Sequence, residues 1–235
     1  MSGAAAANRR TLLLRPRAWL WLAPALLYAL FWFWYTPLGG PLTAAEIDHF
    51  IGKLEGAGDS ERLSRLRRFM EEDSGRQFIM VNVIDMAEAP VELPATGPGA
   101  SADDLMNHYM EHMYVELFKR ASHPVFVGKA VFSAMDVVGI EGAEEWTRVG
   151  LMRYRSRRDL LEIASNPAFG ARHDYKVAAL DKTIAYPVEA ELYLGDPRLL
   201  LALLLLAVVA LTDVLTSRFS AARAKGISQG SLSVS

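Results

Sequence analysis

From Glu145 to Phe169 the chain reads EWTRVGLMRYRSRRDLLEIASNPAF, and the spacing of its apolar positions changes partway along. Between Thr147 and Arg155, alternate residues put Thr147, Val149, Leu151, Arg153 and Arg155 on one side and Arg148, Gly150, Met152 and Tyr154 on the other. A period of two predicts a strand. Both sides are half apolar, so the strand belongs in a sheet covered by helices on one face and by something else on the other. Ser156 is a good N-cap for the helix that follows, with Leu160, Leu161 and Ile163 as its buried stripe. Asn166-Pro167 ends that helix, because the residue before a proline is pushed out of the helical region.

The same reading extends along the chain. Thr43 caps a helix over Ala44–Leu54 with Ile47, Phe50, Ile51 and Leu54 at helical spacing, and Gly56-Ala57-Gly58 ends it. A second helix opens at Asp59, with Leu63, Leu66, Phe69 and Met70 on one side and Glu61/Arg65 and Arg67/Glu71 as supporting pairs. These two form a helical collar over 43–73. Gln77–Met86 is a β-rich run with Asn82 as its polar exception, and 87–101, with three prolines and two glycines, is a surface loop. Over Asp103–Ala121, Leu105, Met106, Tyr109, Met110, Met113, Leu117 and Ala121 gather on one side of a helix. His123–Met135 and Thr147–Arg155 read as the next two strands, Arg157–Ser165 and Pro167–Asp181 as helices, and Lys182–Glu191 as the last strand. The order is strand, helix, strand, strand, helix, strand. This predicts an α+β, ferredoxin-like βαββαβ domain over 77–191 with one open sheet face.

Two stretches break this pattern by being apolar on every side. Ala18–Leu38 has 21 residues without a charge, long enough for a bilayer core about 30 Å thick. Trp19 and Trp21 lie near one end and Trp32 and Trp34 near the other, where interfacial rings anchor. The run exceeds a signal-peptide core of about 7–15 residues, and no small-x-small cleavage site follows, so an uncleaved anchor is the expectation. Leu199–Leu215, within a span placed at 198–217, carries Asp213 near its far end, a position for the headgroups or a partner helix. Arg9, Arg10, Arg15 and Arg17 precede the first span, and Arg218, Arg223 and Lys225 follow the second. Cationic flanks of this kind put both tails, 1–17 and 218–235, in the cytoplasm and the central domain across the inner membrane.

Composition narrows the rest. A formal net charge of -2 gives no electrostatic reason for a nucleic-acid partner. With no cysteine there is neither disulfide nor thiolate chemistry. No Gly-rich phosphate loop, Ser-centred elbow or nucleotide fingerprint occurs, and the sequence implies no cofactor.

Phe78-Ile-Met-Val-Asn-Val-Ile84, Tyr109, Gly128-Lys129, Trp146, the run RYRSRRDLLEIASNPAF from Arg153, and His173 with Ala178-Ala179-Leu180 resemble a family of small proteins of unknown function in the dimeric α/β-barrel superfamily. The resemblance covers about Gln77 to Glu189. It implies two ferredoxin-like units closing their sheets into a barrel, each with a small apolar cavity. The superfamily includes cofactor-free monooxygenases, haem-degrading enzymes and muconolactone isomerases, so the fold does not choose a reaction. The chain departs from the family in its two spans, its collar, and Val127-Gly128-Lys129 where a double glycine is usual.

The open sheet face is the expected place for a ligand, with Asn82, Tyr109, Arg153 and His173 as its lining. The bland reading has Asn82 bonding across strands, Arg153 reaching a carboxylate at the rim, Tyr109 in the core and His173 exposed. His108-Tyr-Met-Glu111-His112 matches H-x-x-E-H, two zinc ligands and a base in inverzincin peptidases, with Glu116 or Glu189 available as a third ligand. Its two histidines project away from Leu105, Tyr109, Met113 and Leu117, beside Lys119, which predicts a wet face rather than a metal cavity. Arg153, Arg155, Arg157 and Arg158 read as a solvated strand end, or as a patch for anionic headgroups. The expectation is thus a membrane-held homodimer in contact with lipid, binding a small apolar or lipid-derived molecule. The alternatives are a non-catalytic assembly subunit of a membrane complex, a cofactor-independent oxygenase or isomerase, and a zinc peptidase.

Overall fold

The computed structural model describes residues 16–55 and 59–232, with side chains over 18–55 and 59–219. Arg9, Arg10, Arg15 and the Gly56–Gly58 break lie outside the described residues, as do the side chains of Arg17, Arg223 and Lys225. The chain divides into two units, one of Met1–Trp34 with Tyr193–Ser235 and the other Tyr35–Leu192.

The first unit contains most of helix α1 (Pro16–Tyr35) and helix α7 (Pro197–Leu232). Ala18–Tyr35 and Pro197–Phe219 are each long and apolar enough to cross a membrane, and only 6% of each window is buried. A core helix of a soluble protein would be mostly covered. Helix α1 stops at Tyr35, short of the predicted Leu38, because Pro37 draws Thr36 out of helical geometry.

The second unit is the βαββαβ domain with its collar. Strands β1 (Phe78–Met86), β2 (His123–Lys129), β3 (Arg148–Tyr154) and β4 (Leu180–Val188) form one sheet in the order β2-β3-β1-β4. All three neighbouring pairs are antiparallel. This is the ferredoxin-like strand order, with helix α4 (Ala102–Lys119) crossing from β1 to β2 and helices α5 (Arg157–Ala164) and α6 (Pro167–Ala178) from β3 to β4. Ser101 opens α4 with a reciprocal capping box to Asp104, and Ser156 caps α5 through Asp159 N at 3.1 Å. Strand β2 ends at Lys129, well before the predicted Met135. The residues beyond it, among them Val131, Phe132 and Met135, lie in an exposed connection.

The core lies between the helices and one sheet face. Phe78, Leu105, Tyr109, Met113, Leu117, Tyr154, Ile163 and Ala179 are buried together, with the Phe78 and Tyr154 rings stacked at 5.3 Å. Burying these side chains is the main stabilising term of the domain. The collar is a second, smaller cluster. Helix α2 (Ala44–Leu54) and helix α3 (Ser60–Glu71) enclose Ile47, Phe50, Leu54 and Met70 against Leu161 of α5. Leu161 and Ile163 thus point to different clusters from one short helix.

Candidate functional site

Cross-strand register decides what each candidate residue faces. Phe78 pairs with Tyr154, Met80 with Met152 and Asn82 with Gly150, so all six positions lie on the helix-covered face. Arg153 pairs with Ile79 and belongs to the other face. The four residues expected to line one chamber therefore separate. Asn82, Tyr109 and His173 come together beneath the helices, and Arg153 lies on the far side of the sheet.

Asn82 is buried, and its amide is oriented by two backbone carbonyls: Nδ2 donates to Met80 O and to Gly150 O, each at 3.2 Å. Its Oδ1 is left to accept from Lys176 Nζ at 3.3 Å. Lys176 stands on α6 one turn after His173, and its ammonium lies 5.9 Å from the centre of the Tyr109 ring. The His173 ring is 6.2 Å from that of Tyr109 and 5.1 Å from that of Phe169. Among the described residues no carboxylate pairs with Lys176. Desolvation draws the Lys176 amine below its ordinary value. Burial, and then the Lys176 charge, lower His173 as well, with Arg62 contributing in the same direction and Asp174 opposing. Burial raises the phenol of Tyr109, with Tyr154 adding to the effect.

The sheet beneath this cluster is unusually bare of side chains. Asn82 has Gly150 on one side and Ala185 on the other. A methyl group placed on Gly150 would meet nothing nearer than Met152 Cε at 3.8 Å. Ala185 is exposed, as are Thr183 and Pro187 on the same face of β4, so the cluster borders solvent along that strand. Lys176 escaped the sequence reading because a lysine at helical spacing is ordinarily a solvated residue. The only local signal was its place one turn after His173.

Arg153 has a structural role at its position. It is fully buried, its guanidinium 3.6 Å from the centre of the Tyr35 ring. Its three nitrogens donate to Tyr35 O at 2.9 Å, to Gln77 Oε1 at 2.7 and 3.0 Å, and to Ala121 O. Ala121 holds a left-handed backbone, φ 51°, just past α4. His123 completes this joint: its Nδ1 donates to Pro124 O at 2.9 Å, leaving Nε2 to accept from the Tyr35 hydroxyl at 2.6 Å.

The other arginines of the run are fasteners too, contrary to the solvated patch expected of them. Arg155 pairs with Asp159 at 2.7 Å, Arg157 with Asp73 at 3.4 Å and with Phe69 O, and Arg158 with Glu46 at 2.7 Å. The last two tie α5 to the collar. Arg158, together with the Thr43 capping box, holds the Glu46 carboxyl at about 2.

The H-x-x-E-H helix face is also drier than expected. The His108 ring lies 4.4 Å from that of Tyr175 and accepts Arg172 Nη1 at Nδ1, which places its own proton on Nε2. His112 is half-buried, and its Nε2 has no hydrogen-bond partner among the described residues. Helix α6 packs over this side, a tertiary contact that the periodicity of α4 does not register. Among the described residues no three His, Asp or Glu side chains gather closely enough to hold a metal. Glu116 is committed to Lys119 and Arg120, and Glu189 to Ser74, Arg76 and Arg157.

Neither of two open surface depressions is lined by Asn82, Tyr109, Arg153, His173 or Lys176. One, of about 430 Å³, is lined by Lys129, Phe132, Glu145, Trp146 and Arg148, and the other, of about 360 Å³, by Pro90, Asp174, Val177 and Asp181.

No protein-family model matches the chain, and no curated protein matches it. Among solved structures it is similar to a protein of unknown function from Rhodopseudomonas palustris, at 14% identity and a TM-score of 0.46 over 58% of this chain and 96% of that one. It is also similar to a dimeric ferredoxin-like protein of unknown function from Jannaschia sp., at 13% identity and a TM-score of 0.31 over 48% and 99%. A dimeric protein of unknown function and ferredoxin-like fold from Bacteroides fragilis is similar at 9% identity and a TM-score of 0.29, over 48% and 96%.

Proposed function

We propose that this chain is a membrane-held homodimer whose sheet domain binds a small apolar or lipid-derived molecule against Asn82. The observation that carries the binding reading is the cluster itself: a buried, oriented amide flanked by Gly150 and Ala185 and roofed by Tyr109, His173 and Lys176, which has no carboxylate partner among the described residues. Apolar side chains surround a few fixed polar groups there, as in small-molecule sites generally. Met80, Met152 and Phe169 supply the apolar wall. The two spans hold the domain beside lipid, with both tails cytoplasmic and the domain on the other side, in keeping with the flanking cations.

Homodimerisation rests on the opposite sheet face. Ile79, Val81 and Val83 on β1, Leu151 on β3 and Ile184 and Tyr186 on β4 share that face, and Ile184 and Tyr186 are 38% and 47% exposed. The collar's buried cluster closes on Leu161 and takes in none of these residues, which favours this surface for a second copy. The same surface also favours a second reading, an assembly subunit that presents it to another membrane protein.

Native mass spectrometry of the detergent-extracted full chain tests both parts. The expected spectrum is a dimer carrying a small organic adduct, and Gly150→Leu, which fills the space beside Asn82, removes the adduct without removing the dimer. Adduct-free wild-type dimer would overturn the binding reading, and a monomer would overturn the pairing. Reporters fused after residue 60 and at the C-terminus should report opposite sides of the membrane.

A further inference from the structure

Lys176 is the one feature of the cluster whose chemistry the binding reading leaves unused. Its amine is held in place by Asn82 Oδ1, whose orientation is in turn fixed by two backbone carbonyls. Its Nζ lies 5.9 Å from the centre of the Tyr109 ring, and Phe169 and His173 stand one to two turns earlier on its own helix. No carboxylate pairs with it among the described residues, and the neighbouring titratable groups are His173, whose charged form burial and the Lys176 charge disfavour, and the phenol of Tyr109. An isolated ammonium in such surroundings has two ways to lower its free energy, an anion from outside or loss of its proton. The exposed edge at Ala185 gives a ligand access, and beside it the side-chain-free Gly150 leaves only Met152 Cε within 4 Å of where a methyl group would stand.

We infer that Lys176 is a nucleophilic amine that captures the carbonyl group of an apolar aldehyde as an imine. The Nζ lone pair attacks the carbonyl carbon, and the carbonyl π electrons move to oxygen, which takes up a proton as nitrogen gives one up. The carbinolamine then loses water as the nitrogen lone pair forms the C=N bond. Atoms balance as amine plus aldehyde giving imine plus water, with no oxidant or reductant. A neutral amine in an apolar setting is the form in which lysine performs this step, and the desolvation already described favours it. Asn82 keeps the amine in place by accepting its N–H. The proposal rests on the binding reading and names the ligand class of that site.

The test uses the full chain in detergent, hexanal as the aldehyde and cyanoborohydride to reduce the imine to a stable secondary amine, with the modified lysines located by peptide mass spectrometry. Near neutral pH the expected result is alkylation of Lys176 at least about tenfold faster than of the exposed Lys129 and Lys53. Lys176→Arg, which keeps the charge but not the reactive amine, should leave only the slow surface background, and Gly150→Leu should slow capture while Lys176 is still present. Labelling that follows surface exposure, with Lys176 no faster than Lys129 in protein of native circular dichroism, would overturn the proposal. If wild type still retains a small organic adduct that Gly150→Leu lacks while Lys176 stays unlabelled, the binding site stands and only the amine chemistry falls. If neither is seen, both fall.

Discussion

On its helix-covered face the sheet carries Phe78, Met80 and Tyr154 in a packed core, interrupted at Asn82 by an amide, an amine and two small cross-strand neighbours. On its other face Val81, Val83, Leu151, Ile184 and Tyr186 form an apolar surface, with Asp85 and Lys182 paired at 3.8 Å at one end and Arg153 sealed under Tyr35 at the other. The contrast shows how burial separates two uses of polarity. Arg153 has acceptors at every edge of its guanidinium and serves as a fastener. Lys176 has a single neutral acceptor and is left with reactivity.

Breaking the fastener should have the largest effect. Arg153→Met removes the guanidinium donors to Tyr35 O, Ala121 O and Gln77 Oε1 and should destabilise the domain by about 3 kcal/mol or more, read as a fall in the urea midpoint. Arg153→Lys should recover only part of this, since an ammonium lacks the planar fork. If Arg153→Met unfolds at the wild-type midpoint, the joint is not structural.

A charge on the apolar face tests the other half of the contrast. Leu151→Asp should abolish the dimer in native mass spectra while circular dichroism keeps its native helical signal, because Leu151 lies on the sheet face opposite the helix-packed core. A dimer that survives the substitution would place the pairing elsewhere.

Lys176→Met should stabilise the domain, by an amount that depends on pH. The folded-state value of the amine is depressed below its ordinary 10.5. Between that lowered value and about 10.5 the unfolded chain holds the extra proton, so wild-type stability rises with pH through this window, and below it the cost of the partly desolvated charge is fully present. The advantage of the methionine variant should therefore be larger near pH 6 than near pH 10, and an advantage independent of pH would mean that the amine is well solvated.

The smallest effect concerns the collar. The Glu46 carboxyl lies at about 2 in the folded chain against an ordinary 4.5, so its contribution is full above about 4.5 and lost as pH falls toward 2. Its side chain is 35% exposed, which limits the contribution to about 0.5–1 kcal/mol. Glu46→Gln should lower the melting temperature slightly at neutral pH and converge on wild type at about pH 2.

Element types were largely readable along the chain because they follow from local periodicity and caps. The Thr43 and Ser156 caps, the Asn166-Pro167 stop and the period-two runs each involve residues only a few positions apart. Strand β2 was read too long because Val131, Phe132 and Met135 look like strand residues in isolation, and only the start of β3 at Arg148 limits how far pairing runs. The candidate site was legible in its residue types and hidden in its arrangement. Asn82, Tyr109 and His173 stand out by residue type, but residue type alone does not show that Asn82 and Arg153 lie on opposite faces.

What the sequence determined by itself was the set of elements, their order, and two stretches long and apolar enough for a bilayer, since these depend on neighbours within a few turns of the same backbone. The tertiary structure alone decided which sheet face the helices cover, which residues stand opposite Asn82, that an arginine run became a set of internal ties, and that Lys176 lies against an amide 94 positions away. The reason is physical: alternation divides a strand into two faces without saying which is dry. With both faces of β3 half apolar, only the pairing of Asn82 with Gly150 and of Ile79 with Arg153 breaks the tie.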